Sequence, residues 1–113
     1  MSQSRLTPCG PGRWCLSGTL DFGTVTELAS EGGALFRDQA ALGLARLEID
    51  LSDLEAANSA GLALLLEWAE MAREHGIRLT YRQLPDSLHR IATFSNLQSI
   101  LPLEERNRVS NDR

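Results

Sequence analysis

The sequence predicts an α/β fold in which a mixed four- to five-stranded sheet carries its helices on one face. Segments 13–20, 46–51 and 77–82 each alternate apolar and polar residues in steps of two, as strands with one buried face do. Segments of helical period lie between and after them. Two successive strand–helix–strand crossovers then imply parallel pairing in the middle of the sheet. A sheet covered on both faces would instead show continuous apolar runs in its central strands.

In chain order, Arg5–Cys9 forms a hairpin strand with Arg13–Leu20 across a turn holding Gly10, Pro11 and Gly12. The inward set of the second strand is Trp14, Leu16, Gly18 and Leu20. A first helix opens at Thr24-Val25-Thr26-Glu27, a capping-box spacing, and runs to about Gln39. Gly32-Gly33 weakens its middle by roughly 1 kcal/mol per glycine. The strand Arg46–Leu51 turns Leu47, Ile49 and Leu51 inward, and Ser52–Ala57 follows it as a loop. A second helix spans Ser59–His75 and stops at Gly76, a common C-terminal glycine. The strand Ile77–Arg82 buries Ile77, Leu79 and Tyr81. A third helix begins near Pro85-Asp86-Ser87 and ends about Phe94, and a short strand is possible near Ile100–Leu103. The expected division is one domain over residues 1–103 and a polar, disordered tail over 104–113.

Composition narrows the function. The net charge of −4 argues against a nucleic-acid partner. All eleven cationic residues are Arg, so no phosphate-loop, Schiff-base or general-base lysine exists. No apolar stretch approaches the roughly 20 residues of a membrane span, so direct membrane insertion is not expected. Met1–Thr7 does not read as a signal peptide. Cys9 and Cys15, which would close a tiny loop, are expected as two free thiols in a reducing cytosol. His75 and His89 lie far apart, and no cluster shows metal-ligand spacing. The carboxylate pairs Asp50/Asp53 and Glu104/Glu105 read as surface features. Neither a catalytic residue nor a metal or other cofactor is expected.

The second helix and the residues before it are the most informative stretch. At 100° per residue the helix shows three arcs. Leu62, Leu65, Leu66, Ala69 and Ala72 form a core stripe, and Ala63, Glu67, Glu70 and Glu74 a solvated one. The third arc, Leu64, Trp68, Met71 and His75, is apolar and lies beside the core stripe. Trp and Met are enriched at protein interfaces, yet the same arc suits packing against a neighbouring helix. At the helix start, Asn58 or Ser59 reads first as an N-cap. The free N–H groups there also suit an anion or a phosphorylated serine.

Ile49-Asp50-Leu51-Ser52, followed by Asn58-Ser59-Ala60-Gly61-Leu62-Ala63-Leu64-Leu65-Leu66, resembles the signature of STAS domains, the anti-sigma-factor-antagonist fold. The element order resembles that fold from about Arg5 to Leu103. Within the family the likeness is to the MlaB branch, the cytosolic STAS subunits of the Mla, or toluene-tolerance, phospholipid ABC transporters. Two departures matter. Asn58 stands where the family commonly has an acidic residue. Ala60, which has no hydroxyl, stands where the sigma-regulating branch carries its phosphorylated serine directly before the glycine. In the MlaB branch the interface hydroxyl lies one position earlier, and Ser59 matches it.

The resemblance implies a non-catalytic docking module. Asn58, Ser59, Ala60 and Gly61 would sit against an ABC ATPase subunit (MlaF-like) and, through it, a membrane permease (MlaE-like). From the helix projection, Leu64, Trp68 and Met71 are expected as the apolar part of that interface. The alternative is an anti-sigma-factor antagonist that sequesters an anti-sigma kinase through the same surface.

Overall fold

The computed structural model describes residues 4–104. Strands β1 (Arg5–Gly10), β2 (Arg13–Leu20), β3 (Arg46–Ala57) and β4 (Arg78–Arg82) form one sheet in that spatial order. The β1–β2 hairpin is antiparallel, and β2–β3 and β3–β4 are parallel. Helices α1 (Val25–Ala41), α2 (Ser59–Glu74) and α3 (Asp86–Phe94) cover one face.

The expected alternation holds where the helices sit. Leu16, Leu20, Leu47, Ile49, Leu51, Leu79 and Tyr81 are buried. Their neighbours Arg13, Arg46 and Arg78 point into solvent. On that open face Glu48 receives Arg13 at 3.2 Å and Arg82 at 3.6 Å. Burial pushes the Asp50 carboxyl up, but hydrogen bonds from Ser52 and the charges of Arg82 and Arg13 outweigh it. The carboxyl is held below its usual range.

Helix α2 is the middle helix, packed against both α1 and α3. It ends as expected: Gly76 takes φ +72°, and Ile77 N–H bonds the Ala72 carbonyl at 2.8 Å, a Schellman closure. Tyr81 ties β4 to α2 by donating its hydroxyl to the Leu65 carbonyl at 2.6 Å. Burial pushes the Tyr81 phenol well above its ordinary value of 10.0.

Several expectations are corrected. Cys9 and Cys15 are joined as a disulfide, with Cα atoms 6.0 Å apart. Cys9 sits where the hairpin register shifts between Pro8 and Gly10, and that bulge swings it toward Cys15. The stretch Ser52–Ala57 is not a loop, because β3 continues through it along β2. The capping box at Thr24 does not form. Instead Thr24 Oγ1 donates to the Thr19 carbonyl at 2.9 Å and accepts from Asp21 N–H at 3.1 Å, closing the turn before α1. Within the expected four to five strands the sheet has four among the described residues, and Leu103 adds a single parallel bridge to Tyr81. The proposed tail beyond Glu104 lies outside the described residues.

Candidate docking site

The candidate site is a corner where the β2–β3 ladder outruns β4. Leu20 and Ala57 are paired at its tip, and Asn58 N–H bonds the Leu20 carbonyl at 3.1 Å. This clamps the start of α2 to the end of β2. Asn58 is the N-cap: its Oδ1 accepts from Ala60 N–H at 2.8 Å, satisfying one orphan donor of the first turn. Ser59 follows as the first helical residue and is exposed.

Ala60 and Gly61 are buried beneath them. A Cβ at Gly61 would lie 2.8 Å from Leu20 Cβ and 3.4 Å from Ala57 Cβ. Glycine is therefore what lets the helix start sit flush on the ladder. Asn58 and Ser59 are presented to solvent by a buried Ala-Gly step, so their position is set by packing.

The rest of the expected interface is different. Trp68 is 0% exposed and Leu64 3%, so neither is available as an apolar anchor on the surface. Trp68 packs edge-on to Phe36 of α1, with centroids 6.4 Å apart and planes at 85°. Its ring lies over Gly32, where a Cβ would come within 2.0 Å of Nε1. Met71 is half-buried, and its Sδ would lie 3.8 Å from a Cβ at Gly33. The third arc of α2 is thus the surface that meets α1. His75 caps the helix, its Nδ1 2.9 Å from the Met71 carbonyl.

The exposed aromatic of this corner is Phe22, which the sequence reading had not singled out. It is 76% exposed in the turn between β2 and α1, two residues beyond Leu20. The available signal was an aromatic placed in a turn, Asp21-Phe22-Gly23-Thr24, where no core face calls for one.

The sequence model of one family, described as the MlaB STAS domain, matches residues 12–102. The fold is similar to an anti-sigma factor antagonist from Mycobacterium paratuberculosis, at 23% identity over 91% of this chain and 85% of that one, with TM-score 0.68. It is also similar to the anti-sigma factor antagonist SpoIIAA in its unphosphorylated form, at 14% identity, 96% and 94% coverage and TM-score 0.67. The phosphorylated form of the Bacillus cell fate determinant SpoIIAA gives 14%, 98% and 100%, and 0.60. At these identities the structural likeness carries the fold alone. No curated protein sequence is significantly similar to the chain. Because the family match extends over most of the sequence and the sheet order and helix placement agree with it, the chain belongs to the MlaB-type STAS domain family.

Proposed function

We propose that this chain is a non-catalytic accessory subunit of an ABC-type phospholipid transporter that maintains outer-membrane lipid asymmetry. It binds the ATPase subunit (MlaF-like) through the Asn58–Gly61 corner and supports its assembled form, and through it meets a membrane permease (MlaE-like). It works in the cytoplasm, held at the inner face of the inner membrane by that partner. Among the described residues no helix is long and apolar enough to cross a membrane itself.

The observation that carries this reading is the MlaB-type family match over residues 12–102. The chemistry of the corner agrees with it. Ala60 has no hydroxyl directly before Gly61, and the hydroxyl on offer is that of exposed Ser59. A small hydroxyl on a closely packed step suits a tightly fitted contact.

The second reading is an anti-sigma-factor antagonist that sequesters an anti-sigma kinase. It draws on the same exposed Ser59, since a phosphate there would stand at the positive end of the α2 macrodipole. Affinity purification of the tagged chain from its native cells, with mass spectrometry, separates the two. An ABC ATPase with a permease is the expected result. Recovery of an anti-sigma kinase, with phosphate on Ser59, would replace it with the second reading.

A further inference from the structure

We propose that Phe22 is the apolar anchor of the docking corner, and that it fits an apolar socket with an Arg- or Lys-rich rim on the ATPase subunit. This rests on the transporter-subunit reading above and names the chemistry of the partner's side.

The first observation is how Phe22 is held. An exposed aromatic on a floppy loop would lose much of its binding free energy to ordering. Here the turn is braced on both sides. Asp21 Oδ1 accepts from Gly23 N–H at 2.9 Å, and the Asp21 carbonyl accepts from Thr24 and Val25 N–H, both at 3.1 Å. Thr24 Oγ1 bonds back to Thr19 and Asp21. These bonds fix the turn around Phe22, whose side chain stands exposed. Phe94, which is more exposed still, ends α3 in a shallow apolar hollow on a different element.

The second observation is placement. Phe22 leaves β2 just after Leu20, whose carbonyl holds Asn58. Phe22 and Ser59 thus each follow closely on the paired residues of the same ladder tip. The phenyl supplies the apolar contact area that buried Trp68 and Leu64 cannot.

The third is charge. Asp53 and Glu55 stand exposed on the same end of the ladder. Glu27 faces the groove beside Gly23 and Thr24, where Arg5 is the cation. None of the three carboxylates takes part in an ion pair among the described residues. An apolar centre with an acidic margin is complementary to an apolar socket with a cationic margin.

The test uses the full chain and the ATPase subunit purified from the native complex. Affinity and association rate are measured against salt for Phe22→Ser, for Asp53→Asn with Glu55→Gln, and for Ser59→Asp. Circular dichroism confirms that each variant is folded. Phe22→Ser should weaken binding roughly 10-fold or more. The charge-neutralised variant should associate more slowly and lose most of its salt dependence. If Ser59→Asp abolishes binding while Phe22→Ser and the neutralised pair bind like wild type, the anchor is refuted and the docking corner stands. If all three bind like wild type, or the ATPase does not bind at all, the docking reading itself falls and the anchor with it.

Discussion

Two adjacent glycines in α1 should respond to the same substitution with opposite signs. Replacing a mid-helix glycine by alanine favours the helix by about 1 kcal/mol. At Gly33 little opposes that gain, because the new Cβ would meet Met71 Sδ at 3.8 Å, an ordinary contact. Gly33→Ala should therefore stabilise by up to about 1 kcal/mol and raise the melting temperature by roughly 5 °C. At Gly32 the new Cβ would stand 2.0, 2.5 and 2.7 Å from Nε1, Cε2 and Cδ1 of Trp68. The indole cannot swing away cheaply, since it is fully buried and held against Phe36. Overpacking of this kind costs about 3 kcal/mol. After the helix gain, Gly32→Ala should lose about 2 kcal/mol and melt roughly 10 °C lower. Urea and thermal unfolding followed by circular dichroism measure both. Trp68→Phe combined with Gly32→Ala should recover part of the loss in a double-mutant cycle, because the smaller ring removes atoms from the clash. Among the described residues the indole N–H it deletes has no hydrogen-bond partner to lose. A Gly32→Ala protein as stable as Gly33→Ala would refute the close approach of α1 and α2 and return Trp68 to the list of surface candidates.

Asn58→Ala should cost about 1 kcal/mol by removing the cap on Ala60 N–H, whereas Asn58→Asp should be neutral or stabilising at the positive end of α2; paired urea titrations decide it. Reducing the Cys9–Cys15 bridge, which spans six residues of sequence, should cost about 2 kcal/mol. A melt in a phosphine reductant should therefore fall by roughly 10 °C, and an unchanged melt with both thiols alkylated would deny the bridge a stabilising role. Tyr81 has a raised folded pKa, so its contribution is complete below its unfolded value of 10.0 and is lost as pH climbs beyond it. Tyr81→Phe should lose about 1 kcal/mol at neutral pH through the Leu65 carbonyl bond and show a flatter decline in stability above pH 10.0.

Most of the frame was legible because it rests on period. Arg46–Leu51 and Arg78–Arg82 alternate cleanly, and Gly76 ends α2 as its chemistry requires. What escaped depends on things that one segment does not contain. The second half of β3 lost its alternation because the ladder shifts register between Cys15 and Ser17 and again between Gly18 and Thr19. Residues such as Asp53, Glu55 and Ala56 also have little strand preference of their own. Trp68 was ambiguous because a helical projection ranks faces without saying how many neighbours the helix has. With both α1 and α3 alongside α2, an arc beside the core stripe is still inside. The clue lay elsewhere in the chain: Gly32 makes room for the indole. The motif Asn58–Gly61 was visible as a motif, but not that its first two residues are surface and its last two are packing.

The two rims of the sheet are closed in different ways, and this bears on how the protein behaves when crowded. A bare strand edge offers unpaired amides to any other chain and seeds fibrillar association. On one rim, β1 carries Pro8, which has no N–H to offer, and a bulge at Cys9 that breaks the straight run. On the other, the segment after α3 returns along β4. There Tyr81 N–H bonds the Pro102 carbonyl at 2.8 Å, and Glu104 N–H bonds the Tyr81 carbonyl at 3.1 Å. These last described residues thus act as a stopper, occupying hydrogen-bonding positions that a second molecule would otherwise fill. Trimming the chain back to Leu101 would keep that buried side chain, lose Leu103 from the margin of the core, and give the molecule a sticky side.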